Sequence, residues 1–222
     1  MTNKYLNYFF LFIIVIFSCS ESPDFQFAWL TDTHVGAGTG AEDLRLAVRD
    51  INSQENVAFT IISGDVSEMG SNEELELAKE ILDSLNTPYY IIPGNHDTKW
   101  SESGCTKFPE LWGDDRFNFQ FKNIRFIGMH QGPIMRMGDG NFAPEDIRWL
   151  EEKLSKIKQN QPLIFVTHYP LNSSISNWYE VLDRLKRMNT LVVLLGHGHR
   201  NRVMNFEGVA GVMGRLCCGR KQ

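Results

Sequence analysis

Five apolar runs in this chain each stop at a group of aspartate, asparagine or histidine residues. Residues 25–30 lead into Thr31-Asp32-Thr33-His34, 57–62 into Ser63-Gly64-Asp65, and 89–92 into Pro93-Gly94-Asn95-His96-Asp97. Residues 163–166 stop at Thr167-His168, and 191–195 at Gly196-His197-Gly198-His199. Five of the six histidines stand at such ends, where chance placement would scatter them. Neutral imidazoles with carboxylates suit Mn, Fe, Zn, Co or Ni, and no cysteine stands among them to make a thiolate site. Asp32, His34, Asp65, Asn95, His168, His197 and His199 offer more donors than one ion takes from protein, and enough for two adjacent ions. Two metals roughly 3.5–4 Å apart generate hydroxide, orient a phosphoester and neutralise its charge. Asp65, alone at its strand end, is the natural candidate to bridge them.

The elements that must position these groups are legible from pattern. Short continuous apolar runs bounded by Gly or Pro read as buried strands. In open α/β sheets, ligands bind just beyond the carboxyl ends of such strands. An amphipathic helix is expected over about 42–52, with Leu44, Ala47, Val48 and Ile51 on one face. Ser71 and Glu74 form a capping-box pair for a second helix reaching about Leu85. Residues 98–115 read as an irregular stretch holding Trp100, Phe108 and Trp112. Segments 117–121 and 124–129 read as a hairpin, and Pro144 opens a helix to about Lys158. A further helix lies around 178–188, and 202–206 with 209–213 form a hairpin around Glu207-Gly208. Helices alternate with strands early and hairpins follow later. That is an α/β chain with one mixed sheet or two packed sheets and helices outside.

The chain has 222 residues and a formal net charge of −5. That length suits one domain with a sizeable core. The acidic balance argues against an extended nucleic-acid grip, which relies on clustered Lys and Arg. Phosphate chemistry here therefore needs positive charge from elsewhere, and metal ions are the obvious source. Lys4 precedes an apolar stretch over 8–17 that is short for a bilayer span, so residues 1–18 have the layout of a signal peptide. Ser18-Cys19 resembles a bacterial lipoprotein cleavage site, with Cys19 as the lipidated residue; a plain signal peptide or an uncleaved anchor is the other reading. Several acyl chains would then anchor the protein. Residues 19–23 would be a tether and 24–222 the domain. The expected location is the cell envelope, membrane-anchored and facing the periplasm or the cell surface. Cys105, Cys217 and Cys218 lack zinc-finger spacing and read as incidental thiols, with a Cys105 bridge to one of the pair as the alternative. No feature names a protein partner.

Asp32-Thr33-His34, Gly64-Asp65, Gly94-Asn95-His96-Asp97, Thr167-His168 and Gly196-His197-Gly198-His199 resemble the calcineurin-like metallophosphoesterases in order and spacing, over about residues 25–206. The resemblance implies a four-layer αββα sandwich of two mixed β-sheets flanked by helices. It implies one metal on Asp32, His34, Asp65 and His199, and a second on Asp65, Asn95, His168 and His197. His96 would act as general acid or as a donor to the phosphoryl group, oriented by Asp97. The substrate would be a phosphodiester or phosphomonoester, attacked by metal-activated hydroxide. Purple acid phosphatases carry a Tyr three residues after the bridging Asp; here Glu68 stands there, which argues against a Tyr-ligated ferric ion. The order of the blocks is closer to bacterial phosphodiesterases of the cyclic-nucleotide type.

His130, at the end of the 124–129 segment, and Arg200, beside His199, are candidate substrate contacts. Trp100, Phe108 and Trp112 read better as packing under a long loop than as a pocket for a base. The competing function is a catalytically silent metal-binding or scaffold protein on the same fold. The retained ligand set and His96 favour the enzyme. Relatives usually add strands after the last histidine pair, so a truncated copy with an incomplete second sheet is a further expectation.

Overall fold

The computed structural model describes residues 25–132 and 139–217. The expected signal peptide, Cys19, the tether and Cys218 lie outside the described residues. In chain order the elements are β1 (Gln26–Leu30), α1 (Gly40–Ser53), β2 (Val57–Ser63), α2 (Asn72–Leu82), β3 (Tyr89–Ile92), α3 (Asn95–Lys99) and α4 (Lys107–Trp112). Then come β4 (Phe117–Phe121), β5 (Ile124–Gly128), α5 (Pro144–Ser155), β6 (Pro162–Val166), α6 (Trp178–Leu185), β7 (Asn189–Leu195), β8 (Arg202–Phe206) and β9 (Val209–Met213).

Helical crossovers between β1, β2 and β3 make those strands parallel, and they form a three-stranded sheet in that order. The second sheet has the order β4-β5-β6-β7-β9-β8. Its β4–β5 and β8–β9 pairs are antiparallel hairpins, and its inner pairs are parallel. Both sheets of the expected sandwich are present; the larger is mixed and the smaller is parallel throughout. The β8–β9 turn places Glu207 and Gly208 at φ +48° and +102°, the left-handed pair that a tight two-residue hairpin turn requires.

Strand alternation sends side chains to two faces, and the core divides accordingly. Phe59 and Ile61 of β2 face Phe126, Ile164, Val166 and Leu194 of the second sheet. Ile62 points the other way, onto Leu44 and Val48 of α1 and Leu75, Ala78 and Leu82 of α2. On the far side, Leu163, Phe165, Val193 and Leu195 pack against Ile147 and Leu150 of α5 and Val181 and Leu182 of α6. The layers are therefore helix, sheet, sheet, helix. Ser71 accepts from Glu74 N at 3.1 Å, and the Glu74 carboxylate accepts from Ser71 N at 3.3 Å, so the capping box starts α2.

The segment expected to be irregular over 98–115 contains α3 and α4. Each is under two turns, too short to show a helical period in sequence. Phe108 anchors α4 by burying itself in the α1–α2 cluster, with Trp112 packed alongside. Among the described residues, no helix is long and apolar enough to cross a membrane.

Candidate metal centre

Loops leaving β1, β2 and β3 of the small sheet meet loops leaving β6 and β7 of the large one. Backbone hydrogen bonds lock the loops of each sheet to one another, and His197 N donates across the seam to Asp32 Oδ1 at 3.0 Å. Asp32 N donates to Gly64 O at 2.9 Å and His34 N to Asp65 O at 3.1 Å, while Gly196 N donates to His168 O at 3.0 Å. The approach is close enough that a Cβ on Gly94 would strike the Asp65 carboxylate, and one on Gly196 would strike Thr31 and Asp32. Of the eight non-glycine residues with positive φ among the described residues, five are Asp32, His34, Asp65, His197 and His199. Left-handed backbone costs on the order of 1 kcal/mol or more per residue and persists where the surroundings over-determine it. Here the strain is concentrated at the donors.

The first donor set comprises Asp32, His34, Asp65 and His199, with one atom from each all within 4.8 Å of the others. His199 Nε2 lies 3.2 Å from both Asp32 Oδ1 and His34 Nε2. Asp65, His168 and His197 form a second set under the same limit. Asn95 joins it, its Oδ1 being 2.9 Å from His197 Nδ1. Asp65 is common to both sets. Its Oδ1 accepts from His96 N at 2.8 Å, which leaves Oδ2 facing His168 Nε2 at 3.0 Å and His34 Nε2 at 4.0 Å. Asp65 Oδ2 and His168 Nε2 are buried and form no aligned hydrogen bond, a costly state for polar atoms unless a further group satisfies them. A cation meeting both lone pairs fits that need, so the residues present suit metal.

A sequence profile described as calcineurin-like phosphoesterase matches residues 25–201. This chain belongs to that family. Among its relatives are a probable glycerophosphodiester phosphodiesterase GpdQ of Arcobacter nitrofigilis, 31% identical over 64% of this chain and 56% of that one, and the glycerophosphodiester phosphodiesterase GpdQ of Enterobacter lignolyticus, 27% identical over 81% of this chain and 73% of that one. The chain thus spans little more than half of the first relative's length. A dimetal phosphatase from Danio rerio superposes with a TM-score of 0.66 at 18% identity, over 88% of each chain, which shows the fold.

Within this centre the charges are set by contact as much as by burial. Burial alone would push the His168 imidazolium down, yet the adjoining Asp65 charge prevails and raises it to about 9. Burial would likewise raise Asp65, and the His168 charge holds it well below the ordinary carboxylate range. His168 Nδ1 is held by Ser63 O at 2.8 Å, which turns Nε2 toward Asp65. Asp32, also buried, sits below its usual range because His199 and His168 face it. His197 has no carboxylate partner so close; burial and the His168 charge lower it to about 4.

The structure brings all seven expected donors together and reassigns the residues around them. Asp97 does not orient His96. Its carboxylate accepts from Val66 N, Ser67 N, Ser67 Oγ and Gly94 N, between 2.6 and 3.1 Å. It therefore ties the loop after β2 to the start of α3. The His96 ring is held instead by Glu68, whose carbonyl oxygen lies 2.5 Å from Nδ1. His130 is not on a solvent-facing rim: it is 5% exposed, and burial lowers it to about 4. Arg200 stands exposed beside His199. Trp100, 38% exposed, sits edge-on to His96 with ring centres 5.4 Å apart. Sequence reading missed Gln131, fully buried, whose Oε1 accepts from Thr167 Oγ1 at 2.5 Å and His168 N at 3.2 Å. No local pattern marks such a residue, because its partners are 36 and 37 positions away.

Proposed function

We propose that the chain is a dinuclear metal-dependent phosphodiesterase. The observation that carries this reading is the sharing of Asp65 between two donor sets, one of Asp32, His34 and His199 and the other of Asn95, His168 and His197. When bound, divalent ions on these residues supply Lewis-acid charge to the phosphoryl oxygens and make water acidic enough to attack at neutral pH. The chain's own groups do the rest. Asp32 and Asp65 bring negative charge to a site that must hold cations. Ser63 O fixes the His168 tautomer with its proton on Nδ1, so Nε2 presents a lone pair. Thr31 Oγ1 donates to Asp32 Oδ2 at 2.6 Å, and Oδ1 is left facing His199.

His96 differs from the donor histidines. With Nδ1–H committed to Glu68 O, Nε2 faces the substrate side and must take up a second proton before it can pass one to the departing oxygen. The names of the relatives make a glycerophosphodiester the first substrate to try. Tyrosine-ligated ferric iron does not suit the site, since Glu68 stands where that ligand would be.

The test is hydrolysis of bis(p-nitrophenyl) phosphate beside p-nitrophenyl phosphate, using metal-stripped protein reloaded with Mn²⁺ and His96→Ala in parallel. Expected are metal-dependent turnover, faster on the diester, and a fall of about 10²–10⁴-fold in the variant, the usual contribution of a positioned proton donor. Metal-loaded protein without turnover on either ester, or on glycerophosphodiesters, would favour the silent scaffold. The envelope location and lipid anchor at Cys19 are part of the same proposal, and mass spectrometry of the mature N-terminus tests them.

A further inference from the structure

We infer that Glu68 is a positioning residue that holds His34 with its side chain and His96 with its main chain, an inference that rests on the phosphoesterase reading above. Its backbone is fixed first. Glu68 N donates to Val35 O at 2.9 Å, beside a bridge between Val35 and Ser67, so the loops after β1 and β2 clasp each other at this point. The carbonyl of the same residue meets His96 Nδ1. Its carboxylate turns the other way along the site, with Oε2 2.8 Å from His34 Nδ1 and 3.9 Å from His96 Nδ1. The two imidazoles stand edge to face, at 88° and 4.6 Å between centres, with Glu68 common to both.

A neutral imidazole has one N–H, and the partner at one nitrogen decides which atom keeps the lone pair. A carboxylate oxygen and a carbonyl oxygen can only accept. Each therefore draws the proton of its histidine to Nδ1. For His34 that leaves the Nε2 lone pair directed at the first donor set; for His96 it frees Nε2 for the substrate side. The His34–Glu68 approach is close but off the line of a good hydrogen bond, since buried His34 Nδ1 has no aligned partner. The carboxylate thus acts as a charge that selects the tautomer. Outer carboxylates of this kind raise the basicity of a ligating histidine and fix its ring. Glu68 is about one-third exposed, so removing it opens no core cavity.

The test compares the full-length wild type with Glu68→Ala and Glu68→Gln. Three readouts are taken: the His34 and His96 tautomers by nitrogen-15 NMR on stripped protein, Mn²⁺ affinity by calorimetry, and kcat with KM on the diester. In Glu68→Ala, His34 loses its Nδ1–H preference while His96, held by the unchanged carbonyl, keeps it. Mn²⁺ affinity falls about 10–100-fold, as for other outer-shell partners, and kcat drops more than KM rises. Glu68→Gln, an acceptor without the charge, restores only part of each. An unchanged His34 tautomer and unchanged Mn²⁺ affinity in Glu68→Ala overturn the inference. So does a third Mn²⁺ in the wild type that Glu68→Ala removes, because His34, Glu68 and His96 are close enough to hold a cation directly. The tautomer readout needs neither metal nor turnover. A wild type that neither binds Mn²⁺ nor hydrolyses ester therefore sinks the phosphoesterase reading while Glu68 is still judged by NMR.

Discussion

The two sheets contribute different chemistry to one site. The small parallel sheet supplies every acid, Asp32 and Asp65, together with Asn95 and His34. The large mixed sheet supplies only imidazoles, His168, His197 and His199. Neither sheet holds a complete donor set, and each set takes members from both. The inter-sheet core of Phe59, Ile61, Phe126, Ile164 and Leu194 brings the layers into register, and the site closes them at one end. A bound cation would act as a clasp between two half-sites that attract it under different conditions. The acid side attracts it unconditionally, while the imidazole side does so only after losing protons, most of all at His168.

Breaking the shared acid should have the largest effect. Asp65→Asn removes an atom common to both sets and leaves His168 buried without its charge partner. Since outer-shell losses already cost about 10–100-fold, metal affinity should fall by more than about 100-fold, and turnover should be lost with it. Calorimetric titration checks this. Saturating metal should next raise the melting temperature, because it binds across the seam of the folded state alone. At a hundredfold excess over Kd the gain is about 2.7 kcal/mol, or roughly 5–11 °C for a chain of this size. Scanning calorimetry on stripped and loaded protein reads it, and Asp65→Asn should show little of that rise.

Asp97 stands in contrast to Asp65 within the acid side. It is as buried as Asp65, but all its partners are backbone amides and one hydroxyl of its own sheet's loops. Asp97→Ala should therefore cost about 1–3 kcal/mol through unsatisfied buried donors, seen as a lower melting temperature. His96 Nδ1 should keep its tautomer, which separates a clamp from a catalytic partner.

A smaller effect is expected from pH in stripped protein. His168, raised to about 9 when folded, adds stability that is complete below about pH 6.5 and lost as pH climbs through 9. His130 and His197, lowered to about 4, work in the opposite sense, losing stability as pH falls from about 6.5 through 4. Melting temperature should accordingly peak near pH 6.5. His168→Gln should flatten the alkaline limb and soften the acid limb, since the His168 charge helps to lower His197 and His130, and a metal-loaded sample should lose the alkaline limb because its His168 is already deprotonated.

The donors were legible in the sequence because each follows an apolar run, and a run that ends at Gly or Pro is a strand whose end is a site. The four layers were legible through the resemblance, and the hairpins through alternation. What escaped depends on long-range contact. Asp97 meets amides 30 and 31 positions earlier, so adjacency to His96 misassigned it. His130 ends an apolar strand like the donors do, yet its side chain is buried rather than presented. Glu68 was noticed only for the tyrosine it replaces, since nothing local shows that its two oxygens serve two histidines. Short helices α3 and α4 lack a period to read, and the insertion of β9 between β7 and β8 is a matter of pairing that sequence order hides.

If Asp65 joins the two donor sets, the seam holds two ions. Native mass spectrometry of the Mn²⁺-loaded protein beside Asp65→Asn tests it most directly. Two Mn²⁺ per wild-type chain are expected, bound over a narrow concentration range, with both occupancies falling together in the variant. A single ion in the wild type, or two ions retained by Asp65→Asn, would contradict it.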